Sequence, residues 1–222
     1  MTYPTYGTPT YGDTPAAATR TLTLPATITA NDLLLAMMAE GQSMVHTWPA
    51  GWTEIVDTGG FSMAYRMADG TEDGTTIDVT TGSARGGVYM IHRFSGASAL
   101  VVPEQANASF SNTAAADCPN LAPSWSTRDV TWCAVAMCNN SGGDNGGVWP
   151  TNYADNQLRY PNSGGGLNGV IIFSSRNANA ASENPDAYPI LGSGGRAFTV
   201  GVAFELPAVG RSFIPGYMMR NL

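Results

Sequence analysis

The sequence predicts an all-β fold, an antiparallel jelly-roll β-sandwich that is preceded by an extended N-terminal arm. Three observations support this prediction. Short apolar runs recur roughly every eight to twelve residues between Gly, Asp and Ser turns, which is the spacing of sandwiches and barrels. Gly and Pro are frequent, at 26 and 14 residues. Apolar residues make up 43% of the 222-residue chain, so it can bury a core without a disulfide or a metal.

The first 19 residues differ from the rest of the chain, because they repeat a Thr-Tyr-(Pro/Gly) unit. Prolines at positions 4, 9 and 15 favour an extended, semi-rigid arm. Tyr offers a large contact area at low entropic cost, so we expect either the domain itself or a neighbouring subunit to hold the arm. The candidate subunit contacts are Tyr3, Tyr6 and Tyr11 in the arm, and Phe213, Ile214, Tyr217, Met218 and Met219 in a C-terminal tail, 207–222.

A single domain over residues 20–206 is predicted to contain the strands. The run Asp32–Glu40 is almost continuously apolar, which fits a short helix capped at Asn31 or Asp32 or a strand buried on both faces. Because the run is short and its neighbours are strand-like, we predict the strand. Segment 97–128 is predicted to be irregular. The other predicted strands are Thr21–Leu24, Trp52–Val56, Met63–Met67, Thr75–Thr80, Gly87–Phe94, Val130–Met137, Gly169–Ser175 and Ala197–Leu206.

The two halves of the chain resemble each other in their order of features. The parallels are Asp32–Ala36 with Asp129–Ala134, Trp48-Pro49 with Trp149-Pro150, and Arg85–Phe94 with Arg196–Phe204. The offset between the halves drifts from 97 to about 110 residues. The two Greek keys of a jelly roll would produce such a repetition, with each half supplying similar strands to both sheets.

Charge and cysteine content limit the possible partners and compartments. The net charge of −7 argues against binding to nucleic acid or to an anionic membrane. All ten basic residues are arginine, which fits either a GC-rich genome or a role in protein contacts. There is no signal-like N-terminus and no run of 18 apolar residues. Three cysteines form no even-numbered framework, so we expect free thiols and folding in a reducing cytoplasm.

No motif in the sequence indicates catalysis, a metal or a cofactor. The chain has only two histidines, and a Ser-His-Asp or Cys-His site would need one of them. His92 alternates with apolar residues and is expected in the core, whereas His46 precedes Trp48-Pro49 and is expected at the surface. The acidic loop Asp69–Gly74 could offer oxygen ligands to calcium, but a solvated hairpin turn is the favoured interpretation. We therefore predict a protein that is not an enzyme.

Three tryptophans fall in loop-like contexts: Trp48, Trp125 and Trp149. Exposed indoles at the rim of a sandwich can stack on sugar rings. They can equally close the ends of the core or lie at subunit contacts, and this second interpretation is the favoured one.

Part of the chain resembles jelly-roll-type structural proteins of tailed bacteriophages. The residues that support the resemblance are Asp32–Ala36, Pro49–Thr53, Ala64–Ala68 and Met90–Gly96. The resemblance implies a virion component that assembles in the host cytoplasm, such as a head decoration or cement protein, a head fibre or a tail component. Its partners would be capsid or tail subunits, including copies of itself in a symmetric assembly, held by the arm and the tail. The alternative is a tail-fibre or receptor-binding module that recognises carbohydrate through the three tryptophans.

Overall fold

The computed structural model describes residues 2–40, 44–82, 85–111, 114–139, 147–160, 169–190 and 194–204. Within these ranges the chain forms sixteen strands and no helix. The strands are β1 (Thr5–Tyr6), β2 (Thr10–Thr14), β3 (Thr19–Thr23), β4 (Leu33–Glu40), β5 (His46–Thr47), β6 (Thr53–Thr58), β7 (Phe61–Met67), β8 (Thr76–Thr81), β9 (Gly87–Ser95), β10 (Glu104–Phe110), β11 (Ala115–Ala116), β12 (Arg128–Cys138), β13 (Ala154–Arg159), β14 (Val170–Ala180), β15 (Tyr188–Ile190) and β16 (Gly195–Ala203).

Two large antiparallel sheets pack face to face and enclose the main core. The first has the order β9-β4-β7-β6, with β1 and β2 both paired to the free side of β9, and the second has the order β10-β16-β12-β14-β13. Leu35 and Met90 of the first sheet share one buried cluster with Val135 and Phe173 of the second. The predicted all-β sandwich is therefore confirmed.

Two small sheets cover the outer faces of the sandwich. The β3-β8-β5 sheet covers the first large sheet, and the β11-β15 pair covers the second. Leu22 of β3 accordingly packs in one cluster with Leu34 and Met38 of β4. All eight residues of β4 are buried, because the strand has a core on each side. The prediction of a strand buried on both faces is confirmed, and the helical alternative is wrong.

The connectivity differs from the predicted jelly roll. Strands of the first half of the chain fill the first large sheet, and strands of the second half fill the other. A jelly roll would instead distribute each half over both sheets, so that topology is not confirmed. The repetition between the halves is nevertheless a structural one. Strands β2, β4, β6, β7 and β9 have the same mutual pairing as β10, β12, β13, β14 and β16.

Two glycines show that the repeat extends to individual residues. Gly87 of β9 lies opposite Glu40 at the end of β4, and Gly195 of β16 lies opposite Cys138 at the end of β12. At both positions an added Cβ would overlap the carbonyl oxygen of the residue before the partner on the facing strand. Only glycine permits this close backbone approach, so both halves need it at the same place.

The turn before the edge strand is repeated as well. Gly51 and Asn152 both have a positive φ, of 86° and 63°, a conformation that Gly and Asn tolerate best. The next residue in each turn, Trp52 or Tyr153, donates its backbone N–H at 3.2 Å to a proline carbonyl three positions earlier. The strands that follow, β6 and β13, each carry an irregularity in register. Because both halves have these features, we attribute them to the requirements of the fold.

An ion pair between a half-buried arginine and a buried glutamate also occurs at an equivalent place in each half. Arg66 of β7 lies 2.9 Å from Glu72, and Arg176 of β14 lies 3.3 Å from Glu183. The two arginines occupy equivalent register positions. Each pair joins the large sheet to the loop beside its small covering sheet, which is a structural role common to both halves.

The N-terminal segment is part of the sandwich, so the prediction of a separate extended arm is not confirmed. Strands β1 and β2 add to the edge of β9. The Tyr6 ring stacks on Phe173 at 5.7 Å between centroids, and its hydroxyl lies 3.1 Å from Nδ1 of His92. The domain itself holds the segment, because the edge of β9 and the gap between the sheets both accept it.

Several strands were not predicted. Segment 97–128, expected to be irregular, contains β10 and β11. Strand β13 was also missed, and so was the far end of β14. Strands β10 and β13 are edge strands with largely polar sequences. In β10 the alternating apolar residues are mostly small alanines, and β13 has no alternation, so neither carries the strong pattern by which a half-buried strand is recognised.

Candidate functional site

Four ionisable side chains meet between the first large sheet and its small covering sheet. They are Arg20 of β3, Glu40 at the end of β4, His46 of β5 and Asp57 of β6. Arg20 Nε lies 2.9 Å from Glu40 Oε1, His46 Nε2 lies 3.5 Å from Glu40 Oε2, and His46 Nδ1 lies 2.9 Å from Asp57 Oδ1. The side chains of Arg20, Glu40 and His46 are fully buried, and that of Asp57 is 11% exposed. We call this group the charge cluster.

Local sequence explains how the members of the charge cluster face one another. Strand β3 alternates between exposed and buried residues, so Arg20 points inward on the same face as Leu22. Glu40 continues the outer face of β4 beyond Met38. His46 opens the short strand β5, which pairs with β8 in the covering sheet. The prediction of a surface position for His46 is wrong, because β6 and the covering sheet enclose it.

The charge cluster favours the protonated form of its histidine. Burial would lower the pKa of His46, but hydrogen bonds and charge from Glu40 and Asp57 outweigh burial and raise this pKa above its ordinary value of 6.5. The backbone N–H of His46 also donates to Asp57 Oδ2 at 2.7 Å. With an imidazolium, the four groups sum to zero net charge.

This geometry is suited to holding a proton rather than to catalysis. Each ring nitrogen of His46 faces a carboxylate. A general base needs a free nitrogen directed at the proton that it removes. Neither nitrogen of this imidazole is directed at open space, and the side chain has no exposed surface.

The charge cluster is not a requirement of the fold, as the second half shows. Register places Cys138 where the first half has Glu40. It places Leu158 where the first half has Asp57, both on the edge strand. Both counterparts pack in an apolar cluster. The same architecture is therefore stable with apolar groups at these positions.

The second histidine lies in the main core, as predicted. His92 has no exposed surface and stacks on Phe173 at 3.7 Å between centroids. Burial lowers the pKa of His92 to about 3, so the ring is neutral at ordinary pH. Its Nε2 has no hydrogen-bond partner among the described residues. The register position equivalent to His92 in the second half is Val200.

The three tryptophans predicted as possible sugar platforms lie in different places. Trp48 stacks on Trp52 at 5.5 Å and donates to Ser62 Oγ at 2.8 Å, against the outer face of the first sheet. Trp149 packs on the outer face of the second sheet, edge-on to Tyr188. Trp125 is half-buried beside Gly201. The fold brings no two of these three indoles into ring contact within the described chain.

The predicted subunit-contact residues are also separated. Tyr6 is fixed inside the sandwich, and Tyr3 is half-buried. Tyr11 is 52% exposed, with the Arg159 guanidinium 5.3 Å from its ring centroid. Phe213, Ile214, Tyr217, Met218 and Met219 lie outside the described residues.

The acidic loop considered for calcium uses its carboxylates within the chain. Glu72 is buried and accepts the backbone N–H groups of Asp69, Gly70 and Thr71 at 2.8–3.0 Å. The same carboxylate pairs with Arg66. Its role is to close this turn, and no group of three or more metal-ligating side chains occurs in the described part of the chain.

A small polar cleft in the second half also brings charged groups together. Its volume is about 250 Å³, and its lining includes Tyr153, Arg176 and Glu183. The Tyr153 hydroxyl donates to Glu183 at 3.1 Å, and the Arg176 guanidinium lies 3.3 Å from the same oxygen and 5.8 Å from the Tyr153 ring centroid. These groups satisfy one another, and the ion pair has its counterpart in the first half.

The cysteines are free thiols, as predicted, and all three are buried. Burial raises the pKa of Cys118 to about 12 and also raises that of Cys133, so these thiols are protonated and unreactive.

Among the described residues, no helix has the length and apolar character needed to cross a membrane.

Comparison with known proteins adds no assignment. No protein-family model, no curated protein and no solved structure matches the chain. The class of protein that fold and site define is therefore an internally repeated antiparallel β-sandwich with a buried charge cluster in its first half.

Proposed function

We propose that this chain is a non-enzymatic structural protein of a bacteriophage particle, which decorates or stabilises the capsid. The resemblance to tailed-phage structural proteins supports the proposal. Its segments correspond to β4, the Pro49–Thr53 turn, β7 and β9. These are framework elements of the first half, so the contacts with other subunits have to be sought on the surface.

The observation that most favours assembly is an exposed apolar connection between the two halves. This connection, Ala99–Val102, joins β9 to β10. Leu100 is 86% exposed and Val102 is 52% exposed. Exposed apolar residues that are contiguous mark contact surfaces more often than isolated ones do. A neighbouring subunit in the particle is the occupant that we propose for this connection.

The C-terminal tail begins beside the same connection. Phe204, the last described residue, bridges to Ala97, and the backbone N–H of Ser98 donates to Ala203 at 2.8 Å. The tail, 207–222, contains Phe213, Tyr217, Met218 and Met219, and its two charged residues are both arginine. Connection and tail together are the proposed latch onto neighbouring subunits. The N-terminal segment does not have this role in the proposal, because its own sheet binds it.

The state of the two histidines supports the non-enzymatic part of the proposal. His46 is held between two carboxylates, and His92 is buried and neutral. Neither is available as a general base on a substrate. No specific observation favours the carbohydrate-binding alternative, because the three candidate indoles pack against separate parts of the fold.

Rebinding to stripped particles tests the proposed contact surface. Leu100→Asp places a charge in the exposed apolar connection, and it is expected to reduce rebinding at least tenfold without lowering the melting temperature. Val148→Asp is the matched control, since Val148 is 55% exposed but lies in another part of the chain. Equal rebinding of Leu100→Asp and wild-type protein would contradict the proposed role of the connection.

A further inference from the structure

We propose that the charge cluster is a proton-binding clasp. With His46 protonated, the clasp holds β5 and the end of β4 against β3 and β6. Loss of the proton releases β5. The inference does not depend on the proposed virion role, because it rests on the geometry of Arg20, Glu40, His46 and Asp57 alone.

The distances make the clasp dependent on a single proton. An imidazolium carries N–H groups on both nitrogens, whereas neutral imidazole carries one. If the remaining N–H donates from Nδ1 to Asp57 at 2.9 Å, the lone pair of Nε2 faces Glu40 Oε2 at 3.5 Å. Neither Nε2 nor Oε2 has another hydrogen-bond partner in the described chain. Deprotonation therefore replaces an attraction by the juxtaposition of two acceptors.

The charge balance of the cluster also favours the protonated form of His46. Arg20 and protonated His46 match Glu40 and Asp57, so deprotonation leaves one net negative charge in a buried place. A buried uncompensated charge is unfavourable. The other titratable group near the ring is Glu54, on the same strand as Asp57. Burial and the charge of Asp57 raise its pKa, and His46 opposes this rise.

The strands paired with β5 and β6 place uncharged polar residues opposite His46 and Asp57. On β8, His46 lies opposite Thr81, and on β7, Asp57 lies opposite Ser62. The nearest charge further along β8 is Asp78, which accepts a hydrogen bond from Thr21 at 2.7 Å. Arg20, the other cation of the charge cluster, is already paired with Glu40, so it does not replace the positive charge that His46 loses.

The second half shows what the charges add. There the equivalent positions hold Cys138 and Leu158, and the large sheet is equally buried. Apolar groups would therefore be enough to fill the space. The charged residues of the first half differ from these apolar groups in one respect: their contacts depend on the protonation of His46.

Strand β5 is the element that this dependence controls. It has two residues, and its only strand partner among the described residues is β8. Its other attachment is the clasp, through the His46 ring and the His46 backbone N–H on Asp57. Val45, just before it, is 70% exposed, whereas Met44 and Trp48 on either side pack inward, so the release is confined to His46 and Thr47.

A titration of the wild-type protein by NMR tests the clasp directly, since the chain has only two histidines. The His46 ring is expected to titrate above pH 6.5, and the His92 ring is expected not to titrate between pH 5 and 9. Amide exchange at His46 and Thr47, corrected for the intrinsic pH dependence, is expected to accelerate with the same midpoint as the His46 ring. Exchange in β14 is expected to show no such midpoint. A His46 ring that titrates at or below 6.5, or β5 exchange without that midpoint, would overturn the proposal.

Two glutamine variants sharpen the test. Glu40→Gln keeps the shape of the side chain but removes its charge, and it is expected to lower the titration midpoints of the His46 ring and of β5 exchange together. Glu183→Gln is the matched control: it alters the pair of buried Glu183 with half-buried Arg176 in the second half and is expected to leave both midpoints unchanged. Equal shifts in the two variants would refute the clasp. If Glu40→Gln fails to fold, the wild-type titration still decides the question.

Discussion

The carboxylate of Asp57 contacts His46 twice, once at the imidazole and once at the backbone. His46 Nδ1 lies 2.9 Å from Oδ1, and the backbone N–H of His46 donates to Oδ2 at 2.7 Å. Asp57 therefore positions both the ring and the backbone of β5. Because of this double contact, we expect the loss of Asp57 to lower the stability of the protein.

Replacing Asp57 tests the energetic weight of this contact. Asp57→Leu introduces the residue type found at the equivalent position of the second half, but it leaves a buried His46 cation and Arg20 with one carboxylate. Removing one partner of a buried pair costs about 3–5 kcal/mol, so we expect a loss of stability of that order in urea unfolding at pH 6. Asp69→Asn, in an exposed ion pair with Arg66, is the control and should leave the midpoint almost unchanged. A loss for Asp57→Leu no greater than the control would contradict the account.

The core histidine predicts a loss of stability in acid. Burial lowers the pKa of His92 to about 3 in the folded protein, whereas the unfolded chain protonates near 6.5. As pH falls from 6.5 towards 3, the unfolded state binds a proton that the folded state refuses, so stability decreases by up to about 1.4 kcal/mol per pH unit. The difference in unfolding free energy between wild type and His92→Phe, measured across this range, should have this slope. A pH-independent difference would show that His92 does not titrate on unfolding.

We expect alanine to be destabilising at both of the equivalent glycines, Gly87 and Gly195. Gly87→Ala and Gly195→Ala each place a methyl group against a carbonyl oxygen of the neighbouring strand, and each should cost more than about 2 kcal/mol. Gly82→Ala is the control, because nothing lies within 4 Å of a Cβ at that position. Denaturant unfolding of the three variants checks this expectation. Tolerance of either Gly87→Ala or Gly195→Ala would mean that the repeat does not extend to these positions.

In the N-terminal segment, we expect alanine substitutions of Tyr6 and Tyr11 to differ in their effect on stability. Tyr6→Ala removes a ring that stacks on Phe173 and contacts the His92 ring, and it should cost about 3 kcal/mol, as for other large core truncations. Tyr11→Ala removes a ring that is 52% exposed and should cost less than about 1 kcal/mol. Thermal melting distinguishes the two. Similar small effects would indicate that the segment does not close the sandwich.

Much of the fold could be predicted from local pattern. The continuous apolar run of β4 and the alternation in β9 indicate buried strands, and the parallel between Trp48-Pro49 and Trp149-Pro150 indicates the repeat. The parallel between the start of β4 and that of β12 is nevertheless out of register by one residue. Asp32 was matched with Asp129 at an offset of 97, whereas the inward-facing residues of β4 and β12 correspond at an even offset, such as Leu35 with Cys133.

The charge cluster could not be predicted in the same way. His46 precedes a turn-like Trp-Pro pair, and its burial depends on β6 and β8, which come later in the chain. Arg20 did carry a signal, because it shares a strand face with Leu22. The binding site for Tyr6 likewise arises from β9 and β14, which are distant in sequence. Contacts of this kind arise from tertiary packing and leave no local periodicity.

The composition of purified phage particles tests the central claim most directly. Quantitative mass spectrometry of particles banded on a density gradient should find this chain at a fixed copy number relative to the major capsid protein, retained through repeated banding. Release of the chain from the particles only under dissociating conditions would agree with a structural role. Absence of the chain from the particles, or a copy number that falls with each wash, would contradict the proposal that it is a structural component of the virion.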